Sequence, residues 1–159
     1  MKKPTQTHLL LLCVVVLSGL CLMSIVRPIY FEKEREKREL VVKERLMKIR
    51  KAAEAYRKLH GVYAGTMEEL IKSGALPDSL QWIPFAKGQR FALSATTEIT
   101  RSGKTLPLME CGAQYTQYLD GLDQNSIDNL MVDAGEAGRY PGLKIGDLKT
   151  PNDNAGNWE

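Results

Sequence analysis

Hydrophobic and polar positions change their rhythm several times along this chain. Residues 9–26, LLLLCVVVLSGLCLMSIV, are eighteen residues without a charge, close to the shortest helix that crosses a bilayer. FEKEREKRE follows, charged on all sides. Apolar residues then return at Val42, Leu46, Ile49, Ala53 and Tyr56, spaced 4, 3, 4, 3. That spacing is the stripe of a helix that packs along one side. Two heptads are too few for a coiled coil, so the stripe predicts docking on the chain's own C-terminal residues rather than dimerisation. No glycine or proline interrupts residues 29–60. The pattern predicts a short tail at 1–8, a membrane anchor at 9–26, a stalk helix at 27–60 and a head domain at 61–159.

The stalk is predicted to stop at His60-Gly61. A glycine just past a helix takes the left-handed conformation at low steric cost, and Arg57, Lys58 and His60 set positive charge against the negative helix end. Thr66-Met67-Glu68-Glu69 reads as a capping box, with Thr66 as the cap and Glu69 reaching back. A short helix to about Ser73-Gly74 follows, burying Leu70 and Ile71.

In the head, QRFALSATTEIT (89–100) alternates as a strand, with Phe91, Leu93, Ala95, Thr97 and Ile99 on one face. Arg101 to Lys104 turn the chain, and Thr105–Cys111 return as a second strand, where Pro107 favours an edge or a bulge. Tyr115, Tyr118 and Leu119 are placed beneath this hairpin. A helix is expected at about 125–134, with Ile127, Leu130 and Met131 inward and Asn125 or Ser126 as cap. From Gly135 onward glycine and proline dominate, so an irregular ending is expected, anchored by Tyr140, Leu143, Ile145 and Trp158. The fold class is α+β: a long helix against a small antiparallel sheet.

Charge sharpens this picture. Residues 27–60 carry a net +6 and residues 61–159 a net −5, within a total of +3. The basic stalk suits anionic lipid headgroups or plain solvation. An acidic head disfavours a nucleic-acid partner, because phosphate binding needs a positive face. The apolar run is read as an uncleaved anchor, with a lipoprotein signal ending before Cys21 and an ordinary signal peptide as the alternatives. Seven lysines and arginines lie in the twenty residues after the run, against two in the tail before it. By the positive-inside bias this charge alone keeps the head in the cytoplasm.

Candidate chemistry is sparse. Cys13 and Cys21 lie in the apolar run and Cys111 stands alone in the head, so no disulfide framework or zinc pattern is expected. His8 and His60 have no nucleophile at a telling spacing, and no phosphate loop or small-molecule site is recognisable. No catalytic set is expected. Asp147, Asn152, Asp153 and Asn154 gather hard oxygen donors within eight residues. They suit either a calcium ion completed by loop carbonyls or turns that need no metal.

AAEAYRKLHGVYAGTMEELIKSGAL resembles the segment after the long N-terminal helix of pilin-like proteins, most closely the major pseudopilins of type II secretion systems. The matching positions are Tyr56, Gly61, Tyr63 and Glu69-Leu70, and Leu76-Pro77-Asp78 looks like the Leu-Pro-x-Asp that follows there. The tail Asn152-Asp153-Asn154-Ala155-Gly156-Asn157-Trp158 is similar to the Asp/Asn-rich ending of those proteins. The chain departs from the pattern in two places. MKKPTQTH lacks the leader-peptidase glycine and no glutamate lies inside residues 9–26, and the proline-tryptophan-glycine stretch usual after the Leu-Pro-x-Asp is missing. The resemblance implies a pilin-like fold, a calcium site at Asp147, Asn152, Asp153 and Asn154, and a single-pass protein of the bacterial inner membrane with a periplasmic head. Its implied partners are membrane lipid and other pilin-like or membrane subunits. Export outweighs the charge bias here, because long domains translocate in spite of flanking charge. A tethered adaptor, whose acidic head binds one protein partner without polymerising, is the alternative.

Overall fold

The computed structural model describes residues 4–99 and 103–159. The turn residues 101 and 102 therefore lie outside the described residues. The chain divides into two compact units, one ending at Arg35 and the other running from Glu36 to Glu159. Helix α1 spans Pro4–His60, with Pro28 inside it. In the first unit every described apolar side chain from Leu9 to Val26 is exposed, Cys13 and Cys21 included. This is one helix long and apolar enough to cross a membrane.

In the second unit the α1 stripe is completely covered. Val42, Leu46 and Ile49 have no exposed surface and Ala53 has almost none, and Ala52 joins them. Tyr56 was expected to continue the stripe. It is only half-buried and lies against His60, with ring centroids 4.2 Å apart. The helix ends as its glycine dictates: Gly61 has φ 78° and its N–H donates to the Arg57 carbonyl at 2.8 Å. Helix α2, Met67–Lys72, opens on Thr66, whose hydroxyl accepts from the Glu69 N–H. The Glu69 carboxylate reaches back one residue further than expected and accepts from the Gly65 N–H at 2.8 Å. The buried residues of α2 are Met67 and Leu70 rather than Leu70 and Ile71. A 3-10 turn follows at Asp78–Gln81.

Three antiparallel strands form the sheet in the order β1-β2-β3: β1 Ala92–Ile99, β2 Thr105–Gln114 and β3 Gly142–Gly146. Strand β3 corrects the expectation of an irregular ending. Cross-strand register builds the inner face in rows. Leu93, Cys111 and Ile145 form one row, with Ala95 and Met109 on one side of it and Ala113 and Leu143 on the other. Met109, Cys111, Ala113 and Ile145 are fully buried. The inward face of β1 fades along its length: Leu93 is buried, Ala95 is half-buried, and Thr97 and Ile99 are exposed.

Between β2 and β3 lie α3, Tyr115–Tyr118, and α4, Gln124–Glu136. Tyr118 and Leu119 are fully buried, and Tyr115 is half-buried. The cap of α4 is Asp123, not Asn125 or Ser126: its carboxylate accepts from the Ser126 N–H at 2.9 Å and from the Ser126 hydroxyl at 2.7 Å. Ile127 and Ala134 are the buried residues of α4, while Leu130 and Met131 are half-exposed.

Candidate functional site

The helix-break segment and the C-terminal tail, read separately along the chain, meet at one place. Arg50, Glu54, Arg57 and Lys58 fall at i, i+4, i+7 and i+8 on α1 and so share one helix face. With Tyr63, Asp153 and Asn154 they line a cleft of about 530 Å³. Three cations and the carboxylates of Glu54 and Asp153 are among its lining residues.

The polar groups of this cleft hold one another. The Arg50 guanidinium donates to Glu54 Oε1 at 3.3 Å, to the Asp153 carbonyl at 3.0 Å and to the Glu159 carboxylate at 3.2 Å. The Tyr63 hydroxyl accepts from Arg57 Nη1 at 3.0 Å and from Asn154 Nδ2 at 2.7 Å. Asp153 and Asn154 take the left-handed conformation, with φ 52° and 56°. Asp and Asn tolerate that region better than most side chains.

The tail then locks onto β3. Gly146 N–H donates to the Ala155 carbonyl and Asn157 N–H to the Lys144 carbonyl, both at 3.0 Å. The Asn157 side chain accepts from the Lys144 N–H at 3.1 Å and donates to the Gly142 carbonyl at 2.9 Å. Trp158 lies flat against Gly156, so a Cβ on that glycine would meet the indole at 2.6 Å. Lys43 of α1 sits 5.8 Å from the Trp158 ring centre. The arrangement is a clasp, in which a tail laid along β3 is bonded to the last turns of α1. The sequence marked Trp158 as an anchor and Tyr63 as a position of the helix-break resemblance, but not Arg50 or Glu54 as partners of the tail; their signal was the polar face at i, i+4, i+7 and i+8.

Asp147 lies in a second cluster, on the outer face of the sheet. Lys144 Nζ donates to Glu110 Oε2 at 2.9 Å and to Asp147 Oδ2 at 3.1 Å. The backbone N–H groups of Lys149 and Thr150 donate to Asp147 Oδ1. The Lys149 N–H and the Lys144 ammonium hold the Asp147 carboxyl down at about 2. For Lys144 burial opposes the charge, but the bonds to Glu110 and Asp147 outweigh it and raise the ammonium above its usual range. A carboxyl depressed by folding contributes stability that is fully present above its unfolded value, about pH 4. That stability is lost as pH falls towards 2. Acidification over this window is expected to weaken the protection of the Asn157 amide, measured against its free-peptide exchange rate at each pH, and to do so less in Asp147→Asn.

The four residues of the calcium expectation make hydrogen bonds within the protein. Both Asp147 oxygens are taken by protein donors, and the Arg50 guanidinium sits on the Asp153 carbonyl. The Asn154 amide is turned to Tyr63, and the Asn152 amide to the Ala155 carbonyl at 3.4 Å. Among the described residues no group of three or more His, Cys, Asp or Glu side chains is gathered where a metal ion would sit. Addition of millimolar calcium or of EDTA is expected to leave the thermal midpoint unchanged, as read by circular dichroism of the full chain.

Cys111 lies at the centre of the inner row. Burial, and secondarily the Glu110 charge, push its thiol well above the usual range, so it stays protonated. His60 is exposed at the end of α1. Comparison with protein-family models, curated proteins and solved structures gave no match to this chain.

Proposed function

We propose that this is a non-enzymatic, membrane-anchored subunit of pilin-like architecture, acting as a structural or assembly part of a secretion or pilus-type machine. The observation that carries the reading is the second unit itself. There α1 buries Val42, Leu46, Ile49 and Ala53, and the tail clasps back onto the same helix. The exposed apolar helix of the first unit would sit in the bacterial inner membrane, with the head on the periplasmic side. In this reading function lies in packing: lipid holds the apolar segment, and the head is displayed to other subunits.

A second reading is favoured by one specific feature. Residues 9–26 hold no glutamate, the residue that pilin-like precursors carry within that helix. The chain would then act as a tethered adaptor whose acidic head captures a protein partner without polymerising.

Protease accessibility on spheroplasts, with intact-mass analysis of the same protein, tests the placement. A head cut from outside, on a chain of full mass, is expected. A protected head would overturn the periplasmic assignment. Crosslinking through Cys13 and Cys21 in detergent then separates the readings, since a subunit self-associates through its apolar helix and an adaptor does not.

A further inference from the structure

The two edges of the sheet are finished differently. The β3 edge is closed by the tail, through the Gly146–Ala155 and Asn157–Lys144 backbone bonds and a bridge between Ile145 and Gly156. The β1 edge is covered only at its entrance, where Phe91 N–H donates to the Gln81 carbonyl and Trp82 bridges Arg90. From Ala92 to Ile99 no backbone bond closes the outer side among the described residues.

Apart from the charge of Glu98, this open edge carries none of the usual protections against strand pairing. ALSATTEI has no lysine and no proline, and its register with β2 runs without a bulge from Ala92↔Gly112 to Ile99↔Thr105. Strand β3 reaches only as far as Glu110 on β2, so the outer half of the hairpin is a two-stranded ribbon. Such a ribbon is marginally stable by itself in water. Thr96, Thr97 and Glu98 are exposed, and Ile99 is 75% exposed although it lies on the Leu93 face.

We infer that β1 pairs antiparallel with β1 of a second copy of this chain, joining two heads into one continuous six-stranded sheet. The residues select the register. Keeping both inner faces on the same side requires like-parity positions to face each other. Centring on Glu98 would set the two carboxylates directly opposite, which is destabilising. Centring on Ala95 gives a ladder over 92–98 but leaves both Ile99 side chains unpaired, because their partner Phe91 is already bonded to Gln81. Centring on Thr96 gives an equally long ladder, Leu93–Ile99, that includes Ile99. It lays each exposed Ile99 against Leu93 of the second copy, and each Glu98 against Ser94. The pairing concerns the head alone and does not rest on the function proposed above.

The test is disulfide crosslinking of the full chain in lipid nanodiscs or detergent, with Cys13 and Cys21 replaced by alanine and Cys111 left buried. Directly opposed residues of an antiparallel pair have Cα atoms about 4.5–5.5 Å apart, within disulfide reach. Thr96→Cys is expected to form a covalent dimer several-fold faster than Asn129→Cys, an exposed control on α4. Ser94→Cys and Glu98→Cys are expected to crosslink when the two variants are mixed, and neither alone. Crosslinking of Thr96→Cys no faster than the Asn129→Cys control would overturn the pairing. Crosslinking of Ser94→Cys alone as fast as Thr96→Cys would overturn the register.

Discussion

Leu46→Ala is expected to destabilise the head by about 2–5 kcal/mol, the range for removing a fully buried leucine side chain from a packed core. Leu46 has no exposed surface and stands between Val42 and Ile49, which have none either. The loss has two parts: the transfer of the missing methyl groups, and the cavity left because a helix held on both flanks cannot collapse inward. Polar bonds hold those flanks. Arg38 donates to the Tyr118 and Asp120 carbonyls on one side, and Arg45 to the Trp82 carbonyl on the other. The control is Leu40→Ala. Leu40 lies on the same helix but is 67% exposed, so its truncation is expected to change stability by no more than about 0.5 kcal/mol. Denaturant unfolding of the full chain in detergent measures both. Equal effects at the two positions would mean that the stripe is not what joins α1 to the head.

Gly146→Ala is expected to lose about 3 kcal/mol or more and to loosen the tail along with β3. Gly146 has φ 71°, and a Cβ built there would lie 2.1 Å from the Met109 carbonyl oxygen on the neighbouring strand. A left-handed alanine is disfavoured by about 1–2 kcal/mol, and an overpacked contact adds about 1–3 kcal/mol. The obstacle is backbone, so no side chain can turn aside to relieve it. The same residue donates its N–H to Ala155, and moving it withdraws a bond from the clasp. Gly135→Ala is the matching control. A Cβ there meets nothing within 4 Å, and the position is helical. That change is expected to stabilise by up to about 1 kcal/mol. Denaturation midpoints give the sign of each effect, and amide exchange at Asn157 reports whether the tail is released in Gly146→Ala.

Local chemistry made much of the fold legible in advance. The 4-3 spacing from Val42 to Ala53 predicted the buried stripe, because a helix turns 100° per residue whatever surrounds it. Gly61 and Thr66 marked where α1 ends and α2 begins, because caps act on backbone groups within a turn of themselves. Alternation in QRFALSATTEIT located β1, although how much of it would be covered was not visible there. The cap of α4 was misplaced for a related reason. Ser126 and Asp123 are both good caps, and the choice between them turns on where the chain emerges from α3.

The apolar first helix, the break at Gly61 and the two strands of the hairpin follow from residues within a few positions of each other. That Gly142–Gly146 is a strand depends on partners far away in the chain. GLKIG has glycine at both ends and no intrinsic strand preference, so its conformation is imposed by pairing with β2 and by the tail that closes its far side. The structure also decided what the Asn/Asp tail does. Asp147 goes to Lys144, and Asp153 and Asn154 go to Arg50 and Tyr63, residues about a hundred positions away in the chain. Carboxylates and amides bond whatever the fold brings within reach, and a sequence does not contain that distance.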